Sequence, residues 1–526
     1  MKKTNLLYVG LCALAAFCAL ARAEVTGDPV PVDGGLVAGV WEHNAETRAY
    51  RGIPFAAPPV GNLRWAAPHP VQPWTGVRHA DTFSAECMQP SRPEDSVYAE
   101  YSGQQAMSED CLYLNVFAPA RIPAKKLPVM VWIYGGAFQQ GAATNPTFVR
   151  GNLVRRGVIL VTFNYRLGAF GFLAHPELTA ESGHHASGNY GLMDQLEALR
   201  WVKRNIAAFG GNPDNVTIFG QSAGGASVVD LMAAPSGKNL FHRAIAESVG
   251  LLPMDSLEQA EKRGENFAAH AGSGDLASLR ALPAVDILRL GAQMQPPLFP
   301  IVDGWVMPES ASDVFAEGKQ ADIPFLTGWN ADEGTTFPHS KTASEFKDKI
   351  EKRLGENAAA ALRLYPAAND GQAQRSSMEI TGDNVLTLGV LKAVRDQIAK
   401  ANQQVFLYHF EHPQPFFADQ NFRELQPAAA LGVFHSSEYP YIFGTLHVLT
   451  RAWTDDDRKI SDMMQQYWSN FARTGNPNGP GVPVWQNFEQ PKESALLIRS
   501  TTEMGTIPGI DRLDFLDRIG VSGVFF

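Results

Sequence analysis

The chain has 526 residues, 45% of them hydrophobic, enough to bury a large core, and its 47 Gly and 35 Pro form no low-complexity segment. No internal repeat stands at solenoid periods, which excludes a repeat array. The formal net charge of −10 makes nucleic acid and anionic membrane surfaces poor partners.

Lys2 and Lys3 give a positive start, an apolar run follows from Leu6 to Leu20, and Ala21-Arg22-Ala23 is an A-x-A cleavage site. Residues 1–23 are expected to be a signal peptide, with the rest of the chain exported, periplasmic or secreted. The run is short for a membrane anchor. Phe17 before Cys18 speaks against a lipoprotein, and no later run is long and apolar enough for a stable membrane span. Losing Lys2, Lys3 and Arg22 and no acid moves the net charge from −10 to −13. Cys12 and Cys18 go too, leaving Cys87 and Cys111. One remaining pair in an exported chain is expected to join, the alternative being two free buried thiols.

Five stretches read as buried strands: Leu127–Tyr134, Val158–Tyr165, Val216–Phe219, Ile323–Gly328 and Gln404–Phe410. Continuous apolar runs of this length suit a sheet covered on both faces. Between them, Leu192, Leu196, Leu199, Val202 and Ile206 form one apolar helical face within Leu192–Phe209, stopped by Gly210-Gly211-Asn212-Pro213. Alternating strands and helices predict an α/β fold with a mostly parallel central sheet and helices on both faces. Residues 24–526 read as one domain, with helical insertions near 255–320 and 340–400 that lack strand character and sit over the site.

Gly220-Gln221-Ser222-Ala223-Gly224 matches G-x-S-x-G. An apolar strand leads in and a small-residue helix start leads out, the strand–turn–helix context that exposes a nucleophilic serine. The oxyanion formed by its attack needs preorganised donors. One is the Ala223 N–H, and a second source is the turn Tyr134-Gly135-Gly136-Ala137-Phe138 after an earlier strand. Serine also needs a base oriented by an acid, in the chain order Ser, Asp/Glu, His. Spacing leaves Asp332 and Glu333 open for the acid, and His409, His412 and His435 for the base. His435 leads because it follows the strand in a loop.

These segments resemble the type-B carboxylesterase/lipase family, which includes cholinesterases and bacterial p-nitrobenzyl esterases. The resemblance spans about residues 27–500. It rests on Gly52-Ile53-Pro54-Phe55-Ala56, on Glu109-Asp110-Cys111-Leu112-Tyr113-Leu114-Asn115-Val116, on Gly188-Asn189-Tyr190-Gly191-Leu192, and on Arg473-Thr474-Gly475-Asn476-Pro477-Asn478. It implies the α/β-hydrolase fold, Ser222 as nucleophile, Glu333 as triad acid and His435 as base. It further implies oxyanion donors at Gly136, Ala137 and Ala223, a Cys87–Cys111 disulfide and an Arg64–Glu109 salt bridge. The family usually has Glu where Gln221 stands, and a neutral amide there points away from cationic substrates. Ala137 replaces a family glycine but keeps its N–H. The Cys87–Cys111 loop holds no tryptophan, so cholinesterase activity is not expected.

The expected activity is ester hydrolysis through an acyl-enzyme, requiring no metal or organic cofactor. The expected partner is a small-molecule ester, with aryl or short-to-medium acyl groups favoured by an apolar pocket. Phe138, Gln221, Leu298, Phe299 and Phe434 are the pocket candidates. No cluster of Arg or Lys stands out to select a polycarboxylate. An amide, carbamate or lactone hydrolase is the alternative, and a non-catalytic adhesion protein would have lost the serine. His184-His185 lacks a third ligand pattern for a metal. The oligomeric state is left open.

Overall fold

All five apolar runs become strands of one eleven-stranded sheet. In chain order its strands are β1 (Val40–Glu42), β2 (Thr47–Pro54), β3 (Tyr113–Pro119), β4 (Leu127–Ile133), β5 (Ile159–Phe163), β6 (Gly211–Gln221), β7 (Arg243–Glu247), β8 (Phe325–Asn330), β9 (Val405–Phe410), β10 (Ser494–Ile498) and β11 (Glu503–Thr506). The spatial order is β11-β10-β9-β8-β7-β6-β4-β5-β3-β2-β1. Strands β4 to β10 run parallel, and antiparallel strands close both edges. The computed structural model describes residues 28–42, 46–120, 125–149, 152–401, 403–489, 492–521 and 523. The expected signal peptide, with Cys12 and Cys18, lies outside them.

The sequence explains the centre of this sheet. Every residue of β8 and β9 is buried, and every residue of β4 except Leu127. Such strands need cover on both faces, and parallel sheets receive it from crossover helices. The expected helix is α1 (Tyr190–Asn205), finished by a 3₁₀ turn at Ile206–Phe209 and Gly210 in the left-handed region at φ 86°. The helix after β6 is α2 (Ala223–Ala233), whose residues are all buried. Gln195 on α1 donates its side-chain amide to Ser227 on α2 at 2.9 Å, tying the two together.

The insertions depart from expectation in one detail. The first carries α3 (Leu257–His270), but also a short parallel pair, Asp255–Ser256 with Ile301–Val302. The second carries α4 (Asp370–Gly382) and α5 (Leu388–Lys400), joined by a π-helical turn at Asp383–Thr387. The turn Glu333–Thr336 packs directly on α4. Two strands that the apolar runs did not predict, β10 and β11, extend the sheet beyond β9. β2 also escaped a reading based on apolar runs, because Arg48 and Arg51 interrupt it, with Arg48 buried.

Cys87 and Cys111 form a disulfide, with Cα atoms 5.0 Å apart. Arg64 donates from Nε to Glu109 Oε2 at 2.7 Å and from Nη1 to the carbonyls of Arg280 and Leu282 at 2.9 and 2.8 Å. This joins the segment ending the disulfide loop to the first insertion. Among the described residues no helix is long and apolar enough to cross a membrane.

Candidate active site

Ser222 stands where β6 ends and α2 begins, with φ 58° and ψ −130°. A non-glycine residue there is strained, a cost of order 1–3 kcal/mol that surrounding packing must impose. The imposition is visible. The Ser222 N–H donates to the Glu247 carbonyl at 2.9 Å, anchoring the turn to β7. Gly224 lies so close to β4 that an added β-carbon would sit 1.9 Å from the Ile133 carbonyl oxygen. The second glycine of G-x-S-x-G is thus a close-approach requirement. Ala137, Phe138, Ser248 and Ser436 also have positive φ, so strained non-glycine backbone gathers around Ser222.

His435 Nε2 lies 2.8 Å from Ser222 Oγ, and His435 Nδ1 lies 2.6 Å from Glu333 Oε2. Glu333 and His435 are buried, at 3% and 5% exposure. The second oxygen of Glu333 accepts the Asn330 N–H at 2.8 Å. The alternatives left open by spacing are occupied elsewhere. Asp332 accepts the Val433 N–H at 2.8 Å, His409 Nδ1 lies 3.0 Å from Glu411 Oε1, and His412 Nε2 lies 2.9 Å from Asp457 Oδ1. His184 stacks on Trp305, with ring centroids 3.9 Å apart.

Gln221 is fully buried beside this chain of bonds. Its Oε1 accepts from Tyr439 OH at 2.6 Å and Ser436 Oγ at 3.1 Å, and its Nε2 lies 3.4 Å from His435 Nδ1. Tyr439 in turn packs on Trp132 of β4, with centroids 5.7 Å apart, so the loop bearing His435 is fixed to the central sheet. Tyr98 OH, from the disulfide loop, donates to the His435 carbonyl at 3.2 Å. Behind the histidine lies Glu438, whose Oε2 accepts from the Asn330 side-chain amide. Burial, reinforced by the neighbouring Glu333 carboxylate, pushes Glu438 up to about 7. Glu247, also buried, is raised well above the usual carboxylate range by desolvation.

A cavity of about 270 Å³ opens at Ser222 and His435, bordered by Gly136 and Ala137. Its walls also include Tyr98, Phe337 and Tyr439, with Arg92. None of Phe138, Gln221, Leu298, Phe299 or Phe434 lines it. Phe138 is turned inward, edge-on to Phe172 at 5.2 Å and Phe299 at 5.9 Å; the Leu298 carbonyl accepts from Gln139 Nε2 at 2.7 Å. Phe434 is buried against Phe416. Arg92, Tyr98 and Phe337 were missed from sequence. The one available signal was that Arg92 and Tyr98 lie between Cys87 and Cys111, a loop the disulfide folds back.

A hydroxyl bonded to an imidazole, itself bonded to a carboxylate, is an arrangement suited to nucleophilic attack on a carbonyl. The comparisons with known proteins agree with that chemistry. A model of the carboxylesterase family matches residues 27–516. The chain is 35% identical over 496 residues to fumonisin B1 esterase of Sphingopyxis macrogoltabida, covering 90% of this chain and 87% of that protein. It is 37% identical over 500 residues to para-nitrobenzyl esterase of Bacillus subtilis, covering 90% of this chain and 95% of that protein. Among solved structures, a PNB esterase superposes with a TM-score of 0.80 at 34% identity, covering 93% of this chain and 99% of that one. The chain therefore belongs to the carboxylesterase family and is a carboxylic-ester hydrolase of the α/β-hydrolase fold.

Proposed function

We propose that Ser222, Glu333 and His435 act as a catalytic triad that hydrolyses esters through an acyl-enzyme. The observation that carries this reading is the continuous chain of short hydrogen bonds, 2.8 Å from Ser222 to His435 and 2.6 Å from His435 to Glu333. His435 takes the Ser222 proton as the hydroxyl attacks the ester carbonyl, then gives it to the departing alcohol. Water, activated by His435, hydrolyses the acyl-enzyme and regenerates Ser222. Glu333 holds the imidazole in orientation and stabilises its charged form.

The oxyanion is held by the N–H groups of Gly136, Ala137 and Ala223. Three observations support this. Gly136 and Ala137 border the cavity at Ser222, and Ala223 opens α2, whose N-terminus carries partial positive charge. Among the described residues these three N–H groups have no protein acceptor.

Aryl and short-to-medium acyl esters are the proposed substrates, supported by the aromatic walls and the modest cavity volume. A panel of p-nitrophenyl esters of increasing chain length, extended to an anilide and a carbamate, tests this. The highest kcat/KM is expected among short-to-medium esters. A maximum on the anilide or carbamate contradicts it. Export through a cleavable signal over residues 1–23 is supported by the formed disulfide, a feature of oxidising compartments. The intact mass of the exported protein checks it, a mature start at Glu24 being expected.

A further inference from the structure

The cavity at Ser222 holds a charge that ester hydrolysis itself does not require. Among the described residues no carboxylate lines it, and Arg92 is its one permanently charged side chain, beside the titratable His435. Arg92 Nη1 donates to the Tyr98 carbonyl at 2.8 Å, which fixes the side chain, and the guanidinium carbon lies 5.6 Å from the Tyr98 ring centroid. The other terminal nitrogen reaches the oxyanion loop: a β-carbon added at Gly136 would lie 3.3 Å from Arg92 Nη2. Gly136 there has φ 118°, a conformation that also suits glycine.

Three buried arginines of this protein hold acids. Arg64 holds Glu109, Arg166 holds Asp194 with Nε and Nη2 at 2.8 and 2.7 Å, and Arg451 holds Glu100. Arg92 is half-buried, yet no described carboxylate pairs with it. Glu94 and Asp95, beside it in sequence, are exposed and do not pair with it, and the less exposed acids around it are engaged elsewhere. Glu424 accepts from Ser96 Oγ at 2.5 Å and the Val97 N–H at 3.1 Å, Glu333 is bound to His435, and Glu86 accepts from Thr144 and Gln105. Gln221, neutral, occupies the position next to the serine. Desolvation lowers the Arg92 pKa from its ordinary value, yet guanidinium stays charged. An unpaired charge facing a half-enclosed cavity is an unmet demand for an anion.

We propose that Arg92 determines specificity by binding one carboxylate carried by the ester substrate, so that the site prefers anionic esters to neutral or cationic esters of equal size. A planar guanidinium with free N–H groups matches a carboxylate in geometry as well as charge. One guanidinium suits a single carboxylate, consistent with the absence of a basic cluster. Its position against Gly136 puts that carboxylate only a few bonds from the scissile carbonyl. The inference rests on the reading of Ser222 as nucleophile.

The test compares size-matched esters on the full-length protein. Para-acetoxybenzoate, para-acetoxybenzamide and para-acetoxyphenyl-trimethylammonium vary the charge of the leaving group. Para-nitrophenyl monoadipate against para-nitrophenyl hexanoate varies the acyl group. In at least one series the anionic ester is expected to have about tenfold higher kcat/KM, mainly through KM, with the advantage shrinking as salt rises. Arg92→Gln should abolish the anionic-to-neutral ratio, and Arg92→Lys should keep part of it. Where Arg92→Gln does not fold, the ratio in Arg92→Lys decides, and a fall of about threefold or more is expected. A flat wild-type ratio in both series, or a ratio unchanged by substitution, overturns the proposal. Flat ratios together with an inactive Ser222→Ala overturn the role of Arg92 alone. Substantial hydrolysis by Ser222→Ala overturns the nucleophile reading instead.

Discussion

Glu333 and Glu438, two buried carboxylates, are joined through one residue: Asn330 donates its backbone N–H to Glu333 at 2.8 Å and its side-chain amide to Glu438. Glu333 is bound to His435, whereas one oxygen of Glu438, Oε1, is buried without a partner. Two negative charges so near each other in a dry site are costly, so the one without a cationic partner keeps its proton longer.

This has a consequence for stability. Glu438 titrates near 4.5 when unfolded and is pushed up to about 7 when folded. Between those values the folded state binds more protons, so this group's contribution is fully present below about 4.5 and is lost as pH rises towards 7. The wild type should therefore lose up to about 3 kcal/mol of stability from this group over that window. Glu438→Gln keeps the acceptor for Asn330 and should flatten that part of the profile. Denaturant melts of both proteins from pH 4.5 to 7.5 measure the difference.

Glu333→Gln tests the acid of the proposed triad. The amide retains an acceptor for the Asn330 N–H but cannot stabilise a charged imidazole. We expect kcat to fall about ten-thousand-fold with the fold intact. Steady-state kinetics beside a circular-dichroism melt check both halves of that expectation.

Gly224→Ala tests the geometry of the nucleophile turn. The added methyl would meet the Ile133 carbonyl at 1.9 Å, a backbone atom in the middle of the sheet that cannot step aside. A loss of about 3 kcal/mol or more is expected, accompanied by loss of activity as Ser222 shifts. Guanidinium unfolding and an esterase assay on the same preparation measure it.

Removing the disulfide by Cys87→Ala with Cys111→Ala frees a loop whose ends are 24 residues apart. In the chain-entropy model this costs roughly 3 kcal/mol. Because the loop brings Tyr98 to the His435 carbonyl, KM should rise as well. Melts with and without the bridge, and KM for one neutral ester, provide the readings.

The central sheet was legible because β4, β5, β8 and β9 are apolar on both faces, a pattern that needs no knowledge of neighbours. Strands such as β2 were not, since Arg48 and Arg51 break the apolar pattern. Ser222 was legible for a local reason: strand, turn and helix all lie within a few residues of it. The choice of Glu333 over Asp332 depends on how one turn packs against α4, and spacing could not make it. The resemblance to a family made it instead. Arg92 was least legible, because its place depends on the fold of the whole disulfide loop and on the acids around it being engaged elsewhere.

The central claim is that Ser222 forms the covalent intermediate. Inactivation with a fluorophosphonate, followed by intact mass and peptide mapping, tests it most directly. The account predicts one adduct per chain, located on Ser222 and formed in proportion to the loss of esterase activity. Full inactivation with Ser222 unmodified, or a fully modified Ser222 with activity retained, would contradict it.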